Sequence, residues 1–430
     1  MSSLGVDQRS YLEAQYRGRV SFRKGERKLY GHDIAAMPGL VKPLIGDTVP
    51  DAVVQPESEA ELVELVRWAA ANKIPLTPRG KATSGYGGVL PVKHGIVVDF
   101  YHLRQLVSLD KQALTVTVQS GMVFERLDDL LADHGLTLRL YPSSYPSSTV
   151  GGWLAQGGAG IGSFEAGWFR DNVVSARVVL PDGSVRVFEG QDLELISDAE
   201  GITGLISEVT IRVQPREEMD VLSFAVPGPQ GLQRVFEAMV AERLPIWSVL
   251  FINPKMAEMK NEAPVREHLG HPVEHKPELP VAYITTLTFR ARDGETVKAR
   301  VQALVAEAQG TVLAPEIAHH EWENRFRLMI VKRLGPSLVP AEIVVPLGNL
   351  GAALAELEQQ IRQPLVKEGV VIRQGRNGKP EVVILGFIPS DQRKLSYTFV
   401  FGLSLSVMKI AEKHGGGAYS TGLYFGKKAA

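Results

Sequence analysis

The 430-residue sequence contains no cysteine. That absence excludes disulfides, a cysteine nucleophile, a thiolate-bound cofactor and an iron–sulfur cluster held by this chain. Any one-electron relay through such a cluster must sit on another polypeptide. Net charge is nearly missing as well, since 47 Lys and Arg oppose 48 Asp and Glu. Nucleic-acid binders carry a concentrated basic excess, so a polyanion is not the main partner. The opening "MSSLGVDQRSYLEAQYRGR" lacks the apolar core of a secretory signal, and no later run is long enough to span a bilayer. A cytoplasmic protein is the expectation, with membrane attachment through a partner left open. Two phosphate-binding patterns are also absent. No glycine is followed after four residues by Gly-Lys-Ser/Thr, and "GIGSFE" from Gly160 breaks the Gly-x-Gly-x-x-Gly pattern at its last position.

What is present is the composition of a globular chain, 44% hydrophobic and 22% charged. The length exceeds one ordinary core, so two or three domains are expected. "AVVQP", "IPLTPRG", "GIVVDF" and "LTVTVQSGM" read as short strands, the last with Leu114, Val116 and Val118 alternating toward a core. "SEAELVELVRWAAANK" reads as a helix with Ser58 and Glu61 at capping-box spacing and Leu62, Val66 and Ala69 on one face. "VFERLDDLLADHG" is a second amphipathic helix, stopping at Gly135. Pro181-Asp182-Gly183 turns a hairpin. Beyond Pro215 the character changes. "GPQGLQRVFEAMVAERLP", "DGETVKARVQALVAEAQG" and "NLGAALAELEQQIRQPLVKEG" read as helices, separated by strands such as "VAYITTLTF" and "PEVVILGFIP". That alternation suggests an α+β layer with helices on one face of a sheet.

Two glycine-rich segments stand far apart: "PRGKATSGYGG" from Pro78, and "YPSSYPSSTVGGWLAQGGAGIGSFEAGWFRDNV" from Tyr141. Both offer backbone N–H groups without side chains in the way, plus Ser and Thr hydroxyls. Such a surface binds a diphosphate with little net positive charge.

In order and spacing these pieces resemble the FAD-linked oxidases of the vanillyl-alcohol oxidase (PCMH-type FAD-binding) superfamily. The glycolate oxidase and D-lactate dehydrogenase flavoprotein branch is the nearest in pattern. "PDAVVQPESEAELVELVRWAAANKIPLTPRG" looks like its first strand–helix–strand, "RGKATSGYGG" its pyrophosphate loop, and "EGITGLISEVTIRVQP" the strand pair closing over the flavin. The resemblance implies an α+β fold: a two-subdomain FAD-binding domain over 50–216 and an α+β, ferredoxin-like cap over 217–404. Residues 1–49 would be an extension, and 405–430 would return to the flavin domain. It implies that Pro78, Arg79, Gly80, Lys81, Ala82, Thr83, Ser84 and Gly85 wrap the pyrophosphate. Pro142, Ser147, Ser148, Thr149, Gly151 and Gly152 would approach the flavin, with Gly157, Gly158 and Gly162 beside it. Glu200, Gly201, Ile202, Gly204 and Ile206 would lie along its other side. Some members tether FAD to a histidine in the first loop. Thr83 stands at that place and has no nitrogen to alkylate, so non-covalent FAD is expected.

The cap should supply the substrate pocket. A hydroxyacid needs a cation for its carboxylate, and "HHEWENRFRLMIVKRLG" offers Arg325, Arg327, Lys332 and Arg333. Removing the hydroxyl proton needs a base. Related dehydrogenases carry a His-x-His pair late in the cap and a Glu-His pair near the C-terminus; here Ser420 and Thr421 stand at the latter place. No metal is therefore expected. His319, His320, His414, Tyr419 and Tyr424 remain as candidate bases, with the two tyrosines lining the pocket. The leading expectation is a dehydrogenase subunit that oxidises a small organic acid or alcohol and passes electrons to a separate iron–sulfur protein. The alternatives are an oxygen-reducing oxidase and a flavoprotein subunit whose substrate chemistry has lapsed.

Overall fold

The computed structural model describes residues 4–34, 46–265, 267–268, 271–272, 276–335, 337–361, 365–391, 393–394, 396–420 and 422. It divides into two compact units. One takes the described residues within Met1–Gly158, Phe169–Arg216 and Ser420–Ala430, the other those within Ala159–Trp168 and Glu217–Tyr419.

The first unit holds two sheets. In the smaller, Ala52–Val54 and Leu76–Arg79 flank Ile96–Asp99 in parallel, and Val20–Ser21 adds an antiparallel edge. Ala52, Val53, Val54, Ile96, Val97 and Val98 are all buried, as continuous β-branched runs must be when both faces are covered. The crossover helix Glu59–Asn72 starts where Ser58 Oγ accepts the Glu61 N–H at 3.2 Å, and it buries Leu62, Leu65, Val66 and Ala69. Half of the expected capping box forms. The Glu61 carboxylate accepts from Glu57 N–H rather than from Ser58, because Arg19 also holds it bidentately at 2.5 and 2.7 Å.

The larger sheet is antiparallel, in the order Leu106–Asp110, Thr115–Gln119, Leu205–Pro215, Val173–Val179, Val185–Glu189, with Leu136–Leu138 also on Leu205–Pro215. Val116 and Val118 face its core, but Leu114 does not continue the alternation: it occupies the turn before the strand at φ 52°. The Asp182–Gly183 hairpin forms, with Gly183 at φ 76° and Asp182 Oδ1 accepting Ser184 N–H.

The second unit is built on an antiparallel sheet running Thr311–Val312, Met219–Val226, Tyr283–Arg290, Ile246–Ile252, Leu365–Ile372, Glu381–Ser390, Ile343–Pro346 and Gly417–Ala418. Helices Pro229–Ala241, Gly294–Glu307, Leu350–Gln360 and Ser396–Lys413 contribute to one core with Phe224, Leu287, Phe251, Val371 and Ile384 of that sheet. On the strands' alternate positions, Val370, Ile372, Val383 and Leu385 instead meet Ala159, Trp168 and Tyr419.

Two helical readings need correction here. The helix read through "NLGAALAELEQQIRQPLVKEG" stops at Gln360, and Leu365–Ile372 is a strand with every residue buried. Pro364 cannot continue a helix, and Gly369 belongs to a sheet, because a Cβ there would lie 2.0 Å from the Phe251 ring paired opposite it. The "HHEWENRFRLMIVKRLG" segment is likewise broken. Its α-helix, Pro315–Glu323, ends before the arginines, and a 3-10 stretch follows over Leu328–Leu334.

Candidate functional site

In the first unit the separate glycine-rich segments meet. The Leu76–Arg79 strand delivers the first loop beside the turn that opens helix Val150–Gln156. Thr149 caps that helix, its hydroxyl accepting the Gly152 N–H at 3.3 Å. A Cβ on Gly80 would sit 2.5 Å from the same hydroxyl. The third segment closes on both sides of the first. A Cβ on Gly201 would lie 2.5 Å from Pro78 Cγ, and one on Gly88 2.4 Å from Glu200 Oε2. At Gly80 and Gly201 a side chain would push the segments apart, whereas at Gly88 it would displace the flexible end of Glu200.

The first loop keeps its hydrogen-bonding capacity free. No backbone N–H from Lys81 to Gly85 donates to a described protein acceptor. Ala82 takes φ 50° and Gly87 φ 80°, left-handed conformations that turn the loop sharply at both places. In the second segment Ser148 is 4% exposed and its Oγ has no hydrogen-bond partner. Ser120 Oγ, which lies under Gly151, is likewise buried and unpartnered. A row of unused donors beside orphaned hydroxyls fits a polyoxygenated anion.

Other expected residues have different local roles. Arg79 sends its guanidinium to the carbonyls of Tyr30 and His32, at 3.2 and 3.0 Å, and stacks on the Tyr30 ring. Burial pushes its pKa down. Asp33 then accepts the Gly87 N–H at 2.7 Å, so the N-terminal segment fastens the loop at two points. Lys81 lies over the Tyr101 ring. Pro142 and Ser147 form the turn before Thr149, through Tyr145 N–H to Pro142 O and Ser147 N–H to Ser144 O. Gly157, at φ 77°, ends the short helix against Asp198. Gly158 packs under Trp153, and Gly204 abuts Val178 and Val179. Ile206 is buried in its strand, whereas Ile202 is 74% exposed. Glu200 accepts the Gly422 N–H at 2.7 Å and a longer contact from Ser420, which ties the returning C-terminal segment to this unit. Gly162 belongs to the second unit, where it precedes the turn Ser163–Ala166 at φ 92°.

The described substrate-side candidates lie in the second unit and are not gathered into one cluster. Arg325 folds back on its own helix end, donating to Trp322 O at 2.7 Å and stacking on the Trp322 and Phe326 rings. Arg327 donates to Asn324 Oδ1, and Arg333 to Pro264 O. His320 contacts Glu321, which is also paired with Lys260. Although burial opposes ionisation, Lys260 and His320 hold the Glu321 carboxyl down at about 2. His414 is bonded to Glu356 at 2.8 Å. The Tyr419 hydroxyl accepts from Ala159 N–H at 2.9 Å and donates to Ala159 O at 3.3 Å, and its ring stacks on Trp168. That geometry makes Tyr419 a fastening for the second glycine-rich segment. Tyr419→Phe is accordingly expected to lower unfolding free energy by about 1–2 kcal/mol in urea titration. Tyr424 lies outside the described residues.

With this geometry in view, the comparisons are decisive for the first unit. A family model described as FAD binding domain matches residues 50–189. Residues 50–189 are an FAD-binding domain, and the homologues of the chain belong to the PCMH-type FAD-binding superfamily. FAD is the chain's cofactor. Among curated superfamily members, the glycolate oxidase subunit GlcD of Bacillus subtilis is 26% identical over 70% of this chain and 65% of its own length. The mitochondrial D-lactate dehydrogenase [cytochrome] of Arabidopsis thaliana is 33% identical over 41% of this chain and 32% of its own. The chain thus spans less than two thirds of the length of these relatives. A solved structure of alkyldihydroxyacetonephosphate synthase has the same fold, with a TM-score of 0.75 over 96% of this chain and 80% of that one, at 17% identity. Among the described residues no helix is long and apolar enough to cross a membrane.

One feature of the second unit escaped the sequence reading. Lys367 and Glu368 lie at the centre of an otherwise apolar strand, 7% and 2% exposed. Taken as the end of an amphipathic helix, "LVKEG" looks like a solvated charge pair. Five apolar residues and a glycine around a Lys-Glu step, right after a proline, were the available signal.

Proposed function

We propose that the chain is an FAD-dependent oxidoreductase that oxidises a small 2-hydroxy acid or alcohol and passes the electrons to a separate iron–sulfur protein. The observation that carries this reading is the meeting of three segments at Gly80–Thr149, Gly201–Pro78 and Gly88–Glu200 around unused donors. The loop N–H groups from Lys81 to Gly85 would hold the pyrophosphate, with Pro78, Arg79 and Gly80 shaping the loop. Thr149, Ser148, Gly151 and Gly152 would approach it from the second segment, and Glu200 and Gly201 would close the third side. Bound FAD supplies the hydride acceptor. The chain's own task is to orient the alcohol carbon, exclude water and take up the hydroxyl proton.

The substrate class is supported by the curated relatives, named as a glycolate oxidase subunit and D-lactate dehydrogenases. An external iron–sulfur partner is supported by the cysteine-free sequence, which leaves no thiolate for a cluster here. Thr83 in the first loop supports non-covalent FAD.

The reading is tested on the purified yellow protein. Acid precipitation should release intact FAD into the supernatant, leaving a colourless pellet. Under anaerobic conditions, glycolate or one enantiomer of lactate should bleach the bound flavin within seconds. Flavin that stays with the pellet contradicts the non-covalent assignment. Flavin that no hydroxy acid or simple alcohol bleaches favours a subunit without substrate chemistry.

A further inference from the structure

We propose that Lys367 and Glu368 form a recognition pair for a 2-hydroxy carboxylate, Lys367 holding the carboxylate and Glu368 accepting a hydrogen bond from the adjacent hydroxyl. The inference deepens the function proposed above by naming residues for its substrate, and it rests on that reading for the ligand class.

The pair owes its placement to an irregularity in the sheet. Strand Leu365–Ile372 pairs with Glu381–Ser390, and the register shifts between Val366 and Glu368, which leaves Lys367 as the extra residue. Such a bulge re-aims side chains and is concentrated near functional sites. Here it puts two neighbours, which regular alternation would separate, on one face. The Lys367 ammonium lies 5.2 Å from the centre of the Phe387 ring. Glu368 stands opposite Leu385. Leu385 and Phe387 are two residues apart on one strand and so share a face.

Both residues are buried, and the protein leaves the Glu368 carboxyl unsatisfied. The two Glu368 oxygens have no hydrogen-bond partner. Lys367 makes no ion pair among the described residues, and its charge lies near Glu368 without bonding it. A buried carboxyl with both oxygens vacant is costly to ionise unless a donor reaches it, and an incoming hydroxyl supplies one. An anion alone would answer Lys367 and repel Glu368. A neutral alcohol would answer Glu368 and leave Lys367. A 2-hydroxy carboxylate answers both from adjacent carbons. The acid's raised pKa, pushed up to about 7 chiefly by burial, agrees with a group awaiting a donor.

The test uses the FAD-loaded full chain at pH 8 and a thermal-shift titration, which reads binding and not turnover. The probes are glycolate and each enantiomer of lactate, set against acetate and propionate, which lack the hydroxyl. The wild type should bind at least one hydroxy acid about 10-fold or more tighter than its deoxy analogue. Glu368→Leu should abolish that preference while keeping FAD content. Lys367→Met should weaken both classes about 10-fold or more. Wild-type affinity and preference in both folded variants overturns the proposal, as does a wild type that binds none of the probes. If the binding pattern holds but no hydroxy acid bleaches the flavin, the recognition pair stands and the oxidation reading falls.

Discussion

Gly80→Ala is expected to lower FAD affinity by about 10- to 100-fold, from roughly 1–3 kcal/mol of overpacking. The added methyl would lie 2.5 Å from Thr149 Oγ1, against 3.7 Å from Thr149 Cβ and Cγ2. The strain is thus concentrated on one oxygen. That oxygen cannot swing aside freely, because it caps the helix by accepting from Gly152 N–H. Thr149→Ala alone should cost about 1 kcal/mol through the lost cap. The Gly80→Ala/Thr149→Ala double variant should bind FAD as the Thr149→Ala single does, since the clashing atom is gone. Titrating deflavinated protein by quenching of FAD fluorescence checks all three. A double variant that carries the sum of both losses would show that the two loops do not press on each other.

The second large effect concerns stability and pH. Burial raises the Glu368 pKa from 4.5 to about 7, more than Lys367 offsets, with the Glu342 charge adding to the rise. Below 4.5 the group is protonated in both the folded and unfolded states and makes no difference. Between 4.5 and 7 it ionises when unfolded but holds its proton when folded, so folding is progressively disfavoured. Above 7 the full penalty applies, on the order of 3 kcal/mol at about 1.4 kcal/mol per pKa unit. Glu368→Gln removes the titration and retains the shape. In urea, its advantage over the wild type should be small at pH 5 and large at pH 8. An advantage independent of pH would mean that Glu368 ionises equally in both states. Because the same change leaves Gln as a weaker acceptor, greater stability with poorer hydroxy-acid binding is the expected combination, a common trade at binding sites.

Much of the flavin-binding unit could be read in advance because its determinants are local. Ser58 before an apolar-periodic run, Asp182-Gly183 between alternating strands, and β-branched runs at 52–54 and 96–98 each specify their element within a few residues. The glycine segments were legible for the same reason, since backbone freedom and small hydroxyls appear directly as letters. The substrate side was harder to read. Arg325 and His320 have the right chemistry in the text, yet one stacks on its own helix end and the other joins Glu321 and Lys260. Side chains of that length reach several alternative partners, and sequence does not say which they take.

The sequence by itself determined most element types of the first unit, the two side-chain-poor loops and the lack of any thiolate for redox chemistry. Tertiary structure alone decided that Gly80 meets Thr149, that Arg79 turns to the N-terminal segment, and that Lys367 and Glu368 share a buried face. The reason is physical. A turn or a helix is fixed by nearest neighbours, whereas a bulge and a loop-to-loop approach are fixed by pairing between segments distant along the chain. For Lys367 and Glu368 that pairing overrode a helical periodicity, and it put both charges where only burial makes them chemically notable.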